Sequence, residues 1–313
     1  MSNRYLVITE LFLPTKGGTA VWFDEVYRRL GGKEVHVVTA RVPNCEVHDA
    51  QHPNTVHRLG LQRTNWLRPE SLAMYLKLFF VSFWLACTHR FDSIHAGRVL
   101  PEGLVAWAVA RLTFRKVLIY VHGEELTTWG RGNKYKAMCF ALSHADRIVA
   151  NSSFTHQLLC DMGIDAGKIS MIHPGVNLER FRPDLPSGDL RARLTLAPDA
   201  LLILSVGRLS RRKGFDQVVR ALPDLVGKGF DVHYAIVGIG EDEDYLKSLV
   251  AEARMEARVH LLGHVSMDEL PRWYNACDVF VLANREVNGD NEGFGMVFIE
   301  AAACGKAVIA GTA

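Results

Sequence analysis

The chain has 313 residues, enough for two domains of ordinary size with separate cores. Apolar residues make up 49 % of it and charged residues 22 %, which excludes a disordered or fibrous protein. Lys and Arg number 36 against 34 Asp and Glu, a net charge of +2 that gives no field for nucleic acid, and no such partner is expected.

The six cysteines form no C-x-x-C pair and have no histidines at zinc-ligand spacing, so they read as reduced thiols of a cytoplasmic protein. From the N-terminus, Tyr5–Thr9 is too short for a secretory apolar region and reads as a buried strand. Further strands are predicted at Glu34–Thr39, Val56–Leu59, Ser93–His95, Lys116–Val121 and Arg147–Ala150. Helical patterns lie between them at Ala20–Leu30, Ser71–Thr88 and Glu102–Leu112. The apolar stretch Leu72–Cys87 is shorter than a spanning helix and is interrupted by Lys77. A helix buried against a sheet is expected there. The competing reading is an interfacial helix, aided by Arg63 and Arg68 just upstream.

His173-Pro174-Gly175-Val176-Asn177 closes the first α/β unit, and the turn-rich Phe181–Gly188 with Pro183 and Pro186 follows. The expected division is residues 1–180 as one domain, 181–200 as a connector and 201–313 as a second domain. In the latter, strands are predicted at Leu201–Val206, Val232–Val237, Val259–Leu262, Val279–Leu282 and Ala307–Ala310. Helices are predicted near Phe215–Val226, Asp244–Arg254, Met267–Ala276 and Gly295–Ala303. The fold class is therefore α/β, two Rossmann-like domains facing a cleft, with ligands expected outside the carboxyl ends of the strands. Ala307–Ala313 is a strand and a loop with no covering helix, so the second domain is expected to be incomplete at its C-terminus.

The loops after strands carry the chemistry. Gly207-Arg208-Leu209-Ser210-Arg211-Arg212-Lys213-Gly214 puts four cations within six positions between glycines, before a helix. Such a loop suits phosphate: Arg offers a forked contact, Lys a point charge, and glycine close backbone approach. The plainer alternative is a solvated basic loop. Glu292-Gly293-Phe294-Gly295-Met296 opens a helix carrying Glu300. Amides at that helix start suit an anion or sugar hydroxyls, and the two glutamates can accept from a polyol. On their own, Glu292 could be a capping acid and Glu300 a surface residue.

Glu292-x7-Glu300 with its Gly-Phe-Gly, continuing to Ala310, resembles the signature of the retaining glycosyltransferases of family 4. Gly207–Gly214 is similar to that family's phosphate-binding stretch, and Val237-Gly238-Ile239-Gly240 to its G-x-G loop, although Glu241–Asp244 follows where proline is frequent. Gly17-Gly18-Thr19, Tyr120–Glu125 and His173–Asn177 are similar to its N-terminal motifs. The resemblance implies the GT-B fold and transfer of a hexose, with retention, from a UDP- or GDP-sugar to an acceptor hydroxyl, without a metal cofactor. It implies glycan, glycolipid or cell-envelope polysaccharide synthesis with a glycan acceptor. The basic and aromatic content near Arg63–Trp84 adds a lipid-linked acceptor, with peripheral association at the inner face of the membrane, as a further reading. Arg208 and Lys213 would contact the diphosphate, Glu300 the ribose, and Glu292 a hydroxyl of the transferred sugar. Gly293, Phe294, Gly295 and Met296 would offer amides to sugar and phosphate. Gly17 and Gly18 would approach the diphosphate, and His122 the sugar near its reacting carbon. Two alternatives compete: a nucleotide-sugar-binding protein or inactive fragment without catalysis, and a dinucleotide oxidoreductase. The latter fares badly, since the third glycine is missing after Gly240 and acids stand where a pyrophosphate would sit.

Overall fold

A computed structural model of the chain describes residues 4–15, 17–61, 72–128, 132–287 and 292–312. They form two compact units, Met1–Pro174 and Gly175–Ala313, each with its own apolar core.

The first unit holds strands β1 (Tyr5–Ile8), β2 (His36–Ala40), β3 (Thr55–Leu59), β4 (Ser93–Ala96), β5 (Lys116–Val121), β6 (Arg147–Ala150) and β7 (Ile169–Met171). All pair in parallel, in the order β3-β2-β1-β4-β5-β6-β7. The central strands are Val- and Ile-rich because helices cover both faces of a parallel sheet, and Ile8, Ile94, Ile119 and Val121 are fully buried. The winding reverses between β1 and β4, which makes their carboxyl ends, at Thr9–Glu10 and Gly97–Arg98, the crevice where such sheets bind ligands.

Helices α1 (Gly18–Tyr27), α2 (Cys45–Gln51), α3 (Leu72–Thr88) and α4 (Leu104–Thr113) belong to this unit. Helix α3 is buried on one side only. Met74, Leu78 and Leu85 enter the core, each contributing roughly 1.5–3 kcal/mol by leaving water. Leu72, Leu76, Phe80 and Trp84 remain exposed. Arg63 and Arg68, invoked for the interfacial reading, lie outside the described residues.

The second unit holds β8 (Leu201–Val206), β9 (Val232–Val237), β10 (Val259–Gly263), β11 (Val279–Leu282) and β12 (Ala307–Ala310), parallel and ordered β10-β9-β8-β11-β12. Tyr234, Tyr274, Phe215 and Phe280 are among the large buried side chains of its core. Residues 181–200, expected to be a connector, are part of this unit. Phe181 and Leu190 are buried in its core, and Arg191 donates to the Ala276 carbonyl (3.0 Å) and pairs with Asp278 (3.1 Å). The prolines there mark turns, while the apolar side chains between them still find a core to enter. The six cysteines are unpaired thiols.

Candidate active site

Strand β8 delivers the basic loop to the carboxyl edge of the second sheet. Backbone pairing continues beyond the strands: Gly207 N–H donates to the Val237 carbonyl (3.0 Å) and Leu209 N–H to the Ile239 carbonyl (3.1 Å). The loops after β8 and β9 therefore run side by side, and a Cβ on Gly238 would overlap the Gly207 carbonyl oxygen. Gly214, at φ +70°, passes the end of β11 so closely that a Cβ would overlap the Ala283 carbonyl oxygen. What approaches these glycines closely is neighbouring backbone.

The cations of this loop are held by acids from other loops. Lys213, nearly buried, is ion-paired with Glu292 Oε2, and Arg212 Nη1 lies 3.3 Å from the same oxygen. Arg208 turns outward and donates from Nε to Glu241 Oε2 at 2.9 Å, both side chains well exposed. Arg211 pairs with Asp242 (3.3 Å), and its guanidinium sits 3.2 Å from the centroid of the Tyr245 ring. The structure thus brings Lys213 and Glu292 together, adds Arg212 to them, and leaves Arg208 with Glu241.

Gly295 adopts left-handed backbone (φ +78°), where a Cβ would press on the Phe298 ring, and the helix Met296–Ala303 starts directly after it. Gly293 and Phe294 form the bend before it. On that helix Glu300 is buried and accepts a 2.7 Å hydrogen bond from the Tyr274 hydroxyl. Burial pushes the Glu300 carboxyl above the ordinary range, and the Tyr274 hydrogen bond and the charge of Arg180 partly offset this. Tyr274 carries no signal in the spacing of the motifs, and Arg212 stands in the basic loop without a role of its own assigned there. Glu241 stands in the acidic run noted after the G-x-G loop.

In the first unit, Gly17 (φ +129°) and Gly18 open α1 and are exposed. Further along α1, Trp22 and Phe23 meet the His122 ring edge-on, each at 5.8 Å between centroids. His122 Nε2 lies 2.9 Å from the Gly97 carbonyl, which can only accept, so the ring proton sits on Nε2 and Nδ1 is left as an acceptor. Burial lowers this histidine to about 4, so it is neutral at pH 7. Beside it, Glu125 Oε1 accepts from His122 N–H (3.3 Å), and burial raises the Glu125 carboxyl to about 8. Glu102, fully buried, accepts from Glu10 N–H (2.9 Å) and ties the exit of β1 to the end of β4. Neither Glu102 nor Glu125 belongs to the residues expected to bind donor.

Among the described residues, Asp24, His48 and His52 place three possible metal ligands within 4.8 Å of one another. Their hydrogen bonding argues for an ion network instead. Asn54 N–H donates to His52 Nδ1 (3.2 Å), so that ring carries its proton on Nε2 and faces Asp24 Oδ1 (3.2 Å) with N–H, where a metal needs a lone pair. His48 (2.9 Å) and Arg28 (2.8 Å) also donate to Asp24. Burial alone would raise the Asp24 carboxyl, but the histidine hydrogen bonds and the Arg28 charge outweigh it and hold it well below the carboxylate range.

Residues 187–313 match the family described as glycosyl transferases group 1, and residues 16–180 match Glycosyltransferase Family 4. The chain belongs to glycosyltransferase family 4. This family 4 chain is 28 % identical to the GDP-mannose-dependent alpha-(1-6)-phosphatidylinositol monomannoside mannosyltransferase of Mycobacterium tuberculosis, over 99 % of itself and 80 % of the relative. A D-inositol 3-phosphate glycosyltransferase of Streptomyces bingchenggensis is 36 % identical over 53 % of the chain and 38 % of the relative. The structure of Anabaena Alr3699/HepE in complex with UDP and glucose superimposes with a TM-score of 0.80 at 20 % identity, covering 99 % of this chain and 81 % of that one. Such neighbours share the GT-B glycosyltransferase fold, two parallel-sheet α/β domains, and the family 4 protein is a glycosyltransferase. No helix among its described residues is long and apolar enough to cross a membrane.

Proposed function

We propose that the protein moves a hexose from a UDP- or GDP-linked donor to an acceptor hydroxyl with retention of anomeric configuration and without a metal. The observation that carries this reading is the meeting of Lys213, Arg212 and Glu292 at the carboxyl edge of the second sheet. Breaking the glycosidic C–O bond releases a diphosphate whose negative charge grows as the bond lengthens. Fixed cations there act on charge that exists mainly in the transition state. In this reading Lys213 and Arg208 hold the diphosphate, Glu292 accepts from a hydroxyl of the transferred sugar, and Glu300 accepts from the ribose. The amides around Gly293, Phe294, Gly295 and Met296 complete donor recognition. The first unit contributes the Gly17–Gly18 turn and His122, whose neutral ring accepts a sugar hydroxyl at Nδ1.

For the acceptor, the relative matched over 99 % of the chain is named for a phosphatidylinositol monomannoside, which favours a lipid-borne headgroup over a soluble acceptor such as inositol phosphate. The enzyme then works in the cytoplasm at the inner face of the membrane. A thermal-shift panel of UDP- and GDP-hexoses tests the donor: one sugar nucleotide is expected to raise the melting temperature selectively. Proton NMR of the product tests retention. No stabilisation by any of them, or an inverted product, overturns the corresponding part.

A further inference from the structure

The outer face of α3 is left over once the fold and the donor residues are accounted for. Leu72, Leu76, Phe80 and Trp84 follow one another at intervals of four, so they stand in one line along the helix, and all four are exposed. Phe80 is 62 % exposed and Trp84 59 %. Helix α4 packs beside α3. Both helices end at the same sheet edge, where Ser93 and Lys116 stand in register at the starts of β4 and β5. At that edge Leu112 is exposed, and Phe114, in left-handed backbone after α4, is 87 % exposed.

Charge decides what can cover this face. Neither α3 nor α4 contains an acidic residue. The exposed cations on and beside them are Lys77, Arg90, Arg111 and Lys116, and the acids at the same edge are engaged, Asp92 with Arg4 (3.0 Å) and Asp146 with the Val117 N–H (2.8 Å). A line of large apolar side chains with aromatic residues among them, bordered by cations, suits the boundary between headgroups and acyl chains of an anionic bilayer. We propose that the outer face of α3, from Leu72 to Trp84 and on to Phe114, docks this protein on an anionic lipid surface. This deepens the reading of a membrane-borne acceptor and rests on it.

The test uses the whole chain and vesicles of phosphatidylcholine with and without phosphatidylglycerol, followed by flotation. The protein is expected to float with the anionic vesicles and far less with the neutral ones. The double variant Phe80→Ser, Trp84→Ser is expected to bind at least about tenfold more weakly. Phe80→Glu, a single exposed change, repeats the test should the double variant melt early. The inference is overturned if the parent protein stays with the soluble fraction at every anionic content, or if both variants float as well as the parent. It is also overturned if the parent ignores vesicles while size exclusion shows a dimer that Phe80→Glu dissociates, for then a second copy covers the face. Binding of UDP and GDP, followed by calorimetry, is expected to be the same in all variants. Loss of vesicle binding with intact nucleotide binding therefore separates a failure of this inference from a failure of the transferase reading.

Discussion

Replacing Lys213 by Met, Glu292 by Gln, and both together separates ligand binding from internal pairing. The side chains of Lys213 and Glu292 are 11 % and 14 % exposed, so water screens their attraction little. With Lys213→Met, Glu292 keeps, among the described residues, the more distant Arg212 at 3.3 Å from the paired oxygen, and stability is expected to fall by about 1–3 kcal/mol. If Lys213 also meets the donor diphosphate, a charge-assisted bond worth about 1.5–3 kcal/mol disappears, weakening UDP or GDP binding roughly 10- to 150-fold. Glu292→Gln is expected to behave in the opposite way toward the nucleotide. It costs stability, because it leaves two cations facing a neutral amide, but it removes an anion from beside the phosphates, so diphosphate affinity is unchanged or tighter. Affinity for the intact sugar nucleotide falls in that variant, since a neutral amide oxygen is a weaker acceptor for the sugar hydroxyl than the carboxylate. The double variant should lose less stability than the two single losses added together, by about 0.5–3 kcal/mol of coupling, and should bind nucleotide as poorly as Lys213→Met. Thermal melting measures the first set and titration calorimetry with UDP, GDP and their sugars the second. Nucleotide affinity within about twofold of the parent in Lys213→Met would refute the assignment of this lysine to the diphosphate.

Glu241→Gln releases Arg208 from an exposed pair worth roughly 0.2–1 kcal/mol, so nucleotide affinity should rise up to about fivefold with melting almost unchanged. A fall in affinity in that calorimetric titration would show that Glu241 helps to bind the ligand. Tyr274→Phe deprives the buried Glu300 of its 2.7 Å donor and should cost about 1–3 kcal/mol in denaturant titration. It should also weaken UDP or GDP binding, and unchanged affinity would detach Glu300 from the ribose. His95, buried and lowered to about 4, is neutral in the folded chain while the unfolded chain takes up its proton near pH 6.5. Its contribution is therefore fully present above pH 6.5 and is lost as pH falls toward about 4, by at most about 3 kcal/mol, with His36 and His122 adding in the same direction. Glu125, raised to about 8, acts in the opposite direction over the same range, so the check is a comparison. Between pH 7 and pH 4.5 the melting temperature of the parent should fall further than that of a His95→Gln variant, and an equal or smaller fall in the parent would contradict a neutral His95.

Much of this molecule is legible along the chain. Strands such as Lys116–Val121 and Leu201–Val206 are continuous apolar runs, and the helix after Gly295 announces itself by a glycine turn and an apolar stretch. The glycines at 214, 238 and 240 mark the loops at the sheet's carboxyl edge because backbones there lie too close for a Cβ. All of these are local properties, decided by neighbours a few residues away. Strand β7 and helix α2 were less visible, being three and seven residues long, with their contacts supplied from elsewhere in the first unit. Helix α2 brings His48 to Asp24, 24 residues earlier in the chain.

Residue types and their order thus established two α/β units, the loops that carry the chemistry, and the kinship with family 4. Which acid meets which cation was settled only in three dimensions: Lys213 and Glu292 are 79 positions apart, and nothing in the spacing distinguishes Glu292 from Glu241 as the partner of a given cation. The side of α3 that stays wet was decided there too. Apolar residues surround almost the whole helix, so periodicity cannot choose a face, and only packing against the sheet determines which of them leave water.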